Sequence, residues 1–160
     1  MQDRTAAAAI AVRNLSHELH PGVLEHAGLT AALRSHCADI ERQHQVIVTF
    51  SPGDGLDSLD SDVALCLFRV AQEALTNAVR HARARTIEVS LMTPPEGVEL
   101  RIADDGVGFV AGELTRRGLG LRSIDERVRF MGGHVSVSSR PGQGTSVLVR
   151  IPFRAAASVP

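Results

Sequence analysis

The chain has 160 residues, 44% of them hydrophobic, which is enough to fill one core, so a single globular domain is expected. All 17 basic residues are arginines, and this excludes mechanisms that need a lysine amine, such as a phosphate-loop lysine or a Schiff base. The formal net charge is −1 and the arginines are spread along the chain, so the charge pattern predicts no binding to nucleic acid or to an anionic membrane.

The two cysteines and the hydropathy pattern indicate a cellular compartment. Cys37 and Cys66 lie in apolar helical stretches without the spacing of metal ligands, which predicts buried thiols in a reducing compartment. No apolar run approaches the roughly 18 residues that cross a bilayer, and no signal-peptide pattern is present. We therefore expect a cytoplasmic location, either as a free chain or as the cytoplasmic part of a longer membrane-bound sensor.

The first half of the chain alternates helix and strand. The predicted elements are helices at 6–20 and 23–44, a strand at 45–50, a loop at 51–62 and a helix at 63–82. Pro21 and Gly22 separate the first two helices, and Asp60 or Ser61 can cap the third.

The helix predicted at 63–82 has two different faces. Its apolar face consists of Ala64, Leu67, Phe68, Ala71, Leu75 and Ala78. The opposite stripe is polar and carries Glu73, Asn77, Arg80 and His81 at helical spacing. A solvated helix face explains each of these residues alone, but together they predict a surface that contacts a ligand.

The second half of the chain predicts two hairpins around a glycine-rich loop and a helix. The segments are strands at 86–92 and 98–104, a glycine-rich loop at 104–121, a helix at 119–131, and strands at 134–139 and 145–153. The expected fold class is α+β, a two-layer sandwich of helices on one face of a mixed, mostly antiparallel sheet.

The motif DDGVGF begins where a strand ends. The Asp104 carboxylate is therefore expected at a cleft, where it can accept a hydrogen bond from an exocyclic amine such as that of adenine. Gly106 and Gly108 let the backbone turn through positive φ close to a ligand. An ordinary surface turn explains the same Asp-Gly pair.

Two further groups point to phosphate. Gly118, Leu119 and Gly120 stand directly before residues 121–131 of the predicted helix, where free backbone N–H groups suit phosphate oxygens. A loop that happens to end in a helix is the alternative. On the polar stripe, Asn77 offers an amide oxygen to Mg²⁺ and Glu73 can polarise a nucleophile, while Arg80 and His81 can meet phosphate charge.

The whole set of motifs resembles the catalytic ATP-binding domain of bacterial sensor histidine kinases, in the superfamily that includes gyrase, the Hsp90 chaperone and MutL. FRVAQEALTNAVRHA is similar to the N box, ADDGVGF to the first glycine box, GLGL to the second, and RPGQGTSVLVRIPF to the closing hairpin. The four motifs stand in the family's order over residues 63–153. Their wording is similar to the subfamily whose response regulators resemble NarL.

The resemblance implies a Bergerat-type ATP-binding fold and a role for each matching residue. Glu73 would be the catalytic acidic residue and Asn77 the Mg²⁺ ligand, while Asp104 would bind the adenine amine with support from Thr145. The segment between Phe109 and Gly118 would form the ATP lid. The remaining ATP-binding positions would be Gly106, Gly108, Gly118, Leu119 and Gly120.

The N-terminal part raises the question of the phosphoacceptor. LSHEL, residues 15–19, is similar to a phosphoacceptor box, which would make His17 the phosphorylated residue. The following residues instead resemble the link between dimerisation and catalytic domains in the NarL-type subfamily, so no phosphoacceptor is expected in this chain. The implied organisation is the end of a dimerisation helix with a linker at 1–22, the catalytic domain at 23–154 and a tail at 155–160.

The resulting hypothesis is a monomeric catalytic fragment that binds Mg·ATP and transfers the γ-phosphoryl to a histidine on a separate dimerisation domain. That domain is the expected direct partner, and a NarL-type response regulator is the indirect one. Two alternatives stay open, namely a serine kinase of the anti-sigma-factor type and a nucleotide-binding module that transfers no phosphate.

Overall fold

A computed structural model describes residues 22–110 and 119–154 of the chain. Its elements are, in chain order, α1 (Gly22–His44), β1 (Ile47–Pro52), a short 3-10 helix (Leu56–Ser58), α2 (Ser61–Arg80), β2 (Thr86–Met92), β3 (Gly97–Asp104), α3 (Leu119–Phe130), β4 (His134–Ser139) and β5 (Thr145–Pro152). The helices pack on one face of the sheet, which confirms the predicted two-layer α+β class. No helix within the described ranges is long and apolar enough to cross a membrane.

The sheet has the strand order β1-β2-β3-β5-β4. β1 and β2 run parallel, and the chain crosses between them through α2, because a parallel pair cannot be closed by a tight turn. The other pairs are antiparallel, including the predicted β2–β3 and β4–β5 hairpins. In the β3–β5 pair, Asp104 lies opposite Thr145, so the end of one strand and the start of the other form a single edge.

The core lies between the helices and the inner face of the sheet. The larger side chains with almost no exposure are Leu33, Leu67, Leu75, Ile87, Leu91, Leu100, Ile124 and Ile151. Cys37 and Cys66 belong to the same core, as predicted. Burial raises the pKa of the Cys37 thiol to about 11 and raises the pKa of Cys66 as well, so both thiols are held in the protonated form.

The ends of the predicted elements shift where backbone geometry intervenes. Gln45, predicted in the first strand, has a φ of +55° and ends α1, so the strand begins only at Ile47, whose N–H donates to the carbonyl of Arg85. Gly28 has a φ of +83° and interrupts α1, which the sequence predicted as continuous. Asp60 is the cap of α2, as one of the two predicted residues, and accepts a hydrogen bond from the N–H of Asp62 at 2.9 Å.

Candidate functional site

A cleft of about 420 Å³ opens between α2 and the Asp104 end of β3, a size that suits a small-molecule ligand. Its wall consists of Ala74, Asn77, Ala78, His81, Ala82, Ile102, Asp104, Gly108, Phe109, Leu121, Thr145 and Val147. Ala74 and Ala78 of α2 and Ala82 just after its end follow one another at intervals of four, so they present an apolar wall on which a flat ring can lie. The sequence contained this signal in its alanine spacing, although only Ala78 was assigned to a buried face.

Asp104 is the polar group at the end of this cleft. Its Oδ1 accepts a hydrogen bond from the N–H of Gly106 at 2.8 Å. Burial raises the pKa of the Asp104 carboxyl, and the backbone N–H groups of Gly106 and Thr145 oppose that rise only in part. A partly buried carboxylate among apolar side chains is therefore available to a ligand that brings a hydrogen-bond donor.

Asp105, the next residue, faces away from the cleft. Its Oδ1 accepts hydrogen bonds from the N–H groups of Arg85 at 2.7 Å and Thr86 at 2.9 Å. These backbone donors, with Thr86 first, lower the pKa of Asp105. The exposed Asp105 carboxylate thus fixes the turn between α2 and β2.

The glycines of the loop after β3 are required by close packing. A Cβ on Gly106 would overlap the carbonyl oxygen of Ala82, and one on Gly108, which has a φ of +62°, would overlap the carbonyl of Arg140. Val107 anchors the same loop on both sides, because its N–H donates to Ala82 at 2.8 Å and its carbonyl accepts from Gly142 at 2.7 Å. The loop is therefore held between the end of α2 and the β4–β5 turn.

Only part of the polar stripe of α2 lines the cleft. Asn77 and His81 line the cleft, and Arg80 is exposed and does not. Glu73 is one turn before Asn77 and touches the start of α3, because a Cβ on Gly120 would overlap its Oε1. The stripe thus brings one carboxylate and one amide oxygen side by side next to the cleft, as helical spacing predicts.

α3 begins at Leu119, as predicted for the helix at 119–131, so the glycine-rich loop predicted to extend to 121 ends earlier than expected. Leu119 and Gly120 already belong to the first turn of the helix. The first backbone N–H groups of any helix lack partners within the helix, so this turn still offers donors next to Glu73. Gly118, His17 and residues 111–117 of the predicted lid lie outside the described residues, so their roles stay predictions.

Ser139 is a polar residue of the site that the sequence did not single out. Its Oγ accepts from the N–H of Phe109 at 2.9 Å, donates to the carbonyl of Gly144 at 3.1 Å and lies 2.9 Å from the Oγ1 of Thr145. Phe109 is 30 positions away in the chain, so only the register of the hairpin reveals this contact.

The described residues contain no group of three or more His, Cys, Asp or Glu side chains that converges on a metal site. The amide oxygen of Asn77, which lines the cleft, fits a different kind of ion. Mg²⁺ takes one or two protein oxygens when phosphate oxygens and water complete its shell. The donor set therefore fits Mg²⁺ that arrives with a phosphorylated ligand.

Comparison with known proteins gives a family match over the second part of the chain. The family described as histidine kinase-, DNA gyrase B- and HSP90-like ATPase matches residues 62–155. The oxygen sensor histidine kinase NreB of Staphylococcus carnosus is 35% identical over 143 residues, 89% of this chain and 41% of NreB. The sensor histidine kinase MctS of Rhizobium johnstonii is 34% identical over 144 residues, 88% of this chain and 31% of MctS. The chain therefore spans less than half the length of these relatives.

Solved structures show the same fold. The ATP-binding domain of PrrB from Mycobacterium tuberculosis superposes with a TM-score of 0.61 at 26% identity, over 79% of this chain and 95% of that domain. The blue-light activated histidine kinase EL346 of Erythrobacter litoralis superposes with a TM-score of 0.69 at 24% identity, over 82% of this chain and 43% of that protein.

Proposed function

Since the chain belongs to the family of histidine kinase-, DNA gyrase B- and HSP90-like ATPases, we propose that its cleft binds Mg·ATP for phosphoryl transfer to a histidine on a separate dimerisation domain. The catalytic ATP-binding domain predicted from the four motifs is confirmed by the family match and by the sensor-kinase relatives. The bound metal, the role of each residue and the acceptor are the proposed part.

The observation that carries the proposal is the partly buried Asp104 at the end of an apolar cleft. An adenine ring fits against the alanines of α2, and its exocyclic amine donates to the Asp104 carboxylate. Gly106 and Gly108 keep the adjacent backbone free of side chains, so the ring can approach closely. Thr145, opposite Asp104 in the sheet, completes this polar edge.

The phosphates extend from the ring toward α3 and the polar stripe of α2. Asn77 holds Mg²⁺, which neutralises phosphate charge when it is bound. The first-turn N–H groups at Leu119 and Gly120, with Gly118 before them, bind phosphate oxygens, and Arg80 and His81 contact the phosphates at the rim. Glu73 polarises the imidazole nucleophile by accepting its proton.

The partners follow from the reaction and from the relatives. The γ-phosphoryl goes to a histidine on a dimerisation domain of the same kinase and from there to a response regulator of NarL type. The chain acts in the cytoplasm, as a monomer when it is separate from the dimerisation domain, and makes no membrane or nucleic-acid contact of its own. Both named relatives are sensor histidine kinases, which favours this reading over a serine kinase.

The function is tested by reconstitution. The chain is titrated with ATP by calorimetry, with and without Mg²⁺, and is then mixed with a separately made dimerisation domain and labelled ATP. We expect saturable binding that Mg²⁺ strengthens, followed by label on the histidine of the added domain. Label on His17 of this chain would contradict the assigned acceptor, and absence of ATP binding would contradict the function.

Glu73 is tested in the same assay. Glu73→Gln keeps the shape of the side chain and removes the proton acceptor, so transfer should slow by about 100-fold or more. ATP affinity should stay within about twofold, because Glu73 faces α3 and does not line the cleft. Glu88→Gln, the same change at an exposed position of β2, is the matched control. Equal transfer by the Glu73 and Glu88 variants would remove Glu73 from the mechanism.

A further inference from the structure

The hydroxyl of Ser139 has all of its hydrogen-bonding capacity in use. A serine hydroxyl has one hydrogen to donate and two lone pairs that accept. The single hydrogen goes to the Gly144 carbonyl at 3.1 Å, since a carbonyl only accepts, and one lone pair receives the N–H of Phe109 at 2.9 Å. One lone pair is left, and the Thr145 Oγ1 lies 2.9 Å from the Ser139 Oγ that carries it.

The number of hydrogens on the Ser139 hydroxyl determines which residue donates in its contact with Thr145. Because Ser139 has no second hydrogen, Thr145 is the donor in the contact between the two hydroxyls. Thr145 lines the cleft, and with its own hydrogen directed to Ser139 it offers only lone pairs to a ligand. Its hydroxyl therefore behaves as an acceptor at the cleft.

The neighbouring polar group has the same polarity. Asp104 lies opposite Thr145 in the sheet, lines the same cleft and, when ionised, also only accepts. The two residues together form an edge of acceptors. Such an edge pairs with an amino group, whereas a carbonyl oxygen in the same place meets lone pairs and stays without a partner.

We propose that Ser139 is a positioning residue for base specificity, which directs the hydroxyl of Thr145 away from the cleft and so selects a purine with a 6-amino group over one with a 6-oxo group. The inference rests on the proposed function, because it concerns how the same cleft discriminates between nucleotides. Ser139 itself does not touch the base.

The test compares ATP with ITP, the 6-oxo analogue, in calorimetric titrations with Mg²⁺. The unchanged chain should prefer ATP. In Ser139→Ala the Thr145 hydroxyl loses its acceptor and is free to donate to the 6-oxo group. The ratio of the dissociation constant of ITP to that of ATP should therefore fall by about 2- to 10-fold, the value of one hydrogen bond. Ser139→Thr keeps a hydroxyl and should retain the preference.

Two controls separate specificity from general loosening of the loop. Ser138→Ala changes the exposed neighbour on β4, whose side chain points to the opposite face, and should leave the ratio unchanged. In Thr145→Val the ratio should already be reduced, and adding Ser139→Ala should reduce it no further. This last comparison does not depend on how much either change lowers affinity as a whole.

The outcomes distinguish this inference from the proposed function. If the unchanged chain binds neither nucleotide, the proposed function is wrong and the inference falls with it. If it prefers ATP and Ser139→Ala leaves the ratio unchanged, only the inference is overturned. The same holds if Ser139→Ala lowers the ratio equally in the unchanged chain and in Thr145→Val. If Ser139→Ala does not fold, an unchanged ratio in Thr145→Val overturns the inference by itself.

Discussion

Asp104 and Asp105 are adjacent carboxylates that the structure uses in opposite ways. Burial raises the pKa of Asp104, which faces the cleft, while backbone donors lower the pKa of Asp105, which fixes a turn. The difference arises because successive side chains at the end of a strand point to opposite sides. A residue kept in an unfavourable environment at a cleft is a common mark of a binding function.

Asp104→Asn should separate binding from stability. The amide replaces an acceptor-only carboxylate at the proposed adenine contact, so ATP affinity should fall by about 5- to 150-fold, or about 1–3 kcal/mol. The folded chain should lose no stability at pH 7, because the change removes a partly buried charge. Calorimetric titration measures the ATP affinity and urea unfolding measures the stability. Unchanged ATP affinity would contradict the assigned site.

The pH dependence of unfolding gives the sign of the Asp104 effect. Its folded pKa is raised above the ordinary value of 3.8, so its contribution to stability is complete below that value and is lost as the pH rises through the raised pKa. Asp104→Asn should therefore gain stability relative to the unchanged chain as the pH rises. Asp105→Asn should show the reverse trend, because the lowered pKa of Asp105 stabilises the fold above about pH 3.8.

Motif and spacing are sufficient to predict a site residue when its function depends on residues close to it in the chain. Asp104 and the glycines after it were recognisable because strand end, carboxylate and turn follow one another directly. Ser139 was not recognisable, since its partner Phe109 is 30 positions away and an isolated serine carries no pattern. Arg80 is three residues after Asn77 and His81 is four, and on a helix these two steps lead to opposite sides of the starting residue. Arg80 is therefore exposed outside the cleft, whereas His81 lines it.

Among the elements, the β4–β5 hairpin supports the loop that follows β3. In its turn, the Arg140 carbonyl packs against Gly108 and Gly144 packs against the backbone of Asp104. The hairpin thus holds the end of β3 from one side while α2 holds it from the other. The position of Asp104 therefore depends on this packing.

Two glycines of this turn provide a matched pair of variants. Gly142 and Gly144 have φ angles of +75° and +77°, so alanine at either position carries about 1–2 kcal/mol of left-handed strain. A Cβ on Gly142 meets nothing within 4 Å, whereas one on Gly144 would overlap the Asp104 carbonyl. Gly144→Ala should therefore lower the free energy of unfolding by about 3 kcal/mol or more in total, and Gly142→Ala by the strain alone.

Urea unfolding of the two variants checks this prediction, and ATP titration of the folded fraction adds a functional measure. Only Gly144→Ala should also weaken nucleotide binding, because it displaces Asp104. Equal losses of stability would mean that the backbone of β3 moves away without penalty, and the hairpin would not be a support for the loop.

The accuracy of the element predictions follows the strength of local patterns. α2 and the strands β2 to β5 combine clear periodicity with turn residues, and their ends agree within one or two positions. The interruption of α1 was missed because one glycine within a helical pattern does not predict its own backbone angles. The start of α3 agrees with the predicted 119, but the glycine-rich loop predicted to extend to 121 overlaps the first turn, because a glycine in a first helical turn looks the same as one in a loop.

For the whole molecule, sequence patterns predicted the class of fold and not its topology. The order β1-β2-β3-β5-β4 and the parallel pairing of β1 with β2 depend on how α2 crosses the sheet. Local patterns with turn residues predicted the β2–β3 and β4–β5 hairpins, but they contain no information about pairing between strands that are distant in the chain. The chain also covers only 41% of NreB and 31% of MctS.

The described surface predicts a monomer. Its exposed large apolar side chains are distributed over several elements, for example Ile47 on β1, Met92 on β2 and Phe130 on α3, and Val107 and Val110 share the loop after β3. The outer face of the sheet carries the ion pair between Glu99 and Arg150 at 2.7 Å. Sedimentation equilibrium should give the mass of one chain, and a dimer that persists in a chain beginning at Gly22 would contradict this prediction.

The buried thiols of Cys37 and Cys66 have a practical consequence for fluorescence experiments. A maleimide dye reacts with thiolate, and at neutral pH these two side chains are both shielded from solvent and protonated. The sequence also has no lysine to take up stray dye. A cysteine introduced at the exposed Val110 would therefore be labelled alone. Because its neighbour Phe109 lines the cleft, we expect the emission of the dye to change when nucleotide binds.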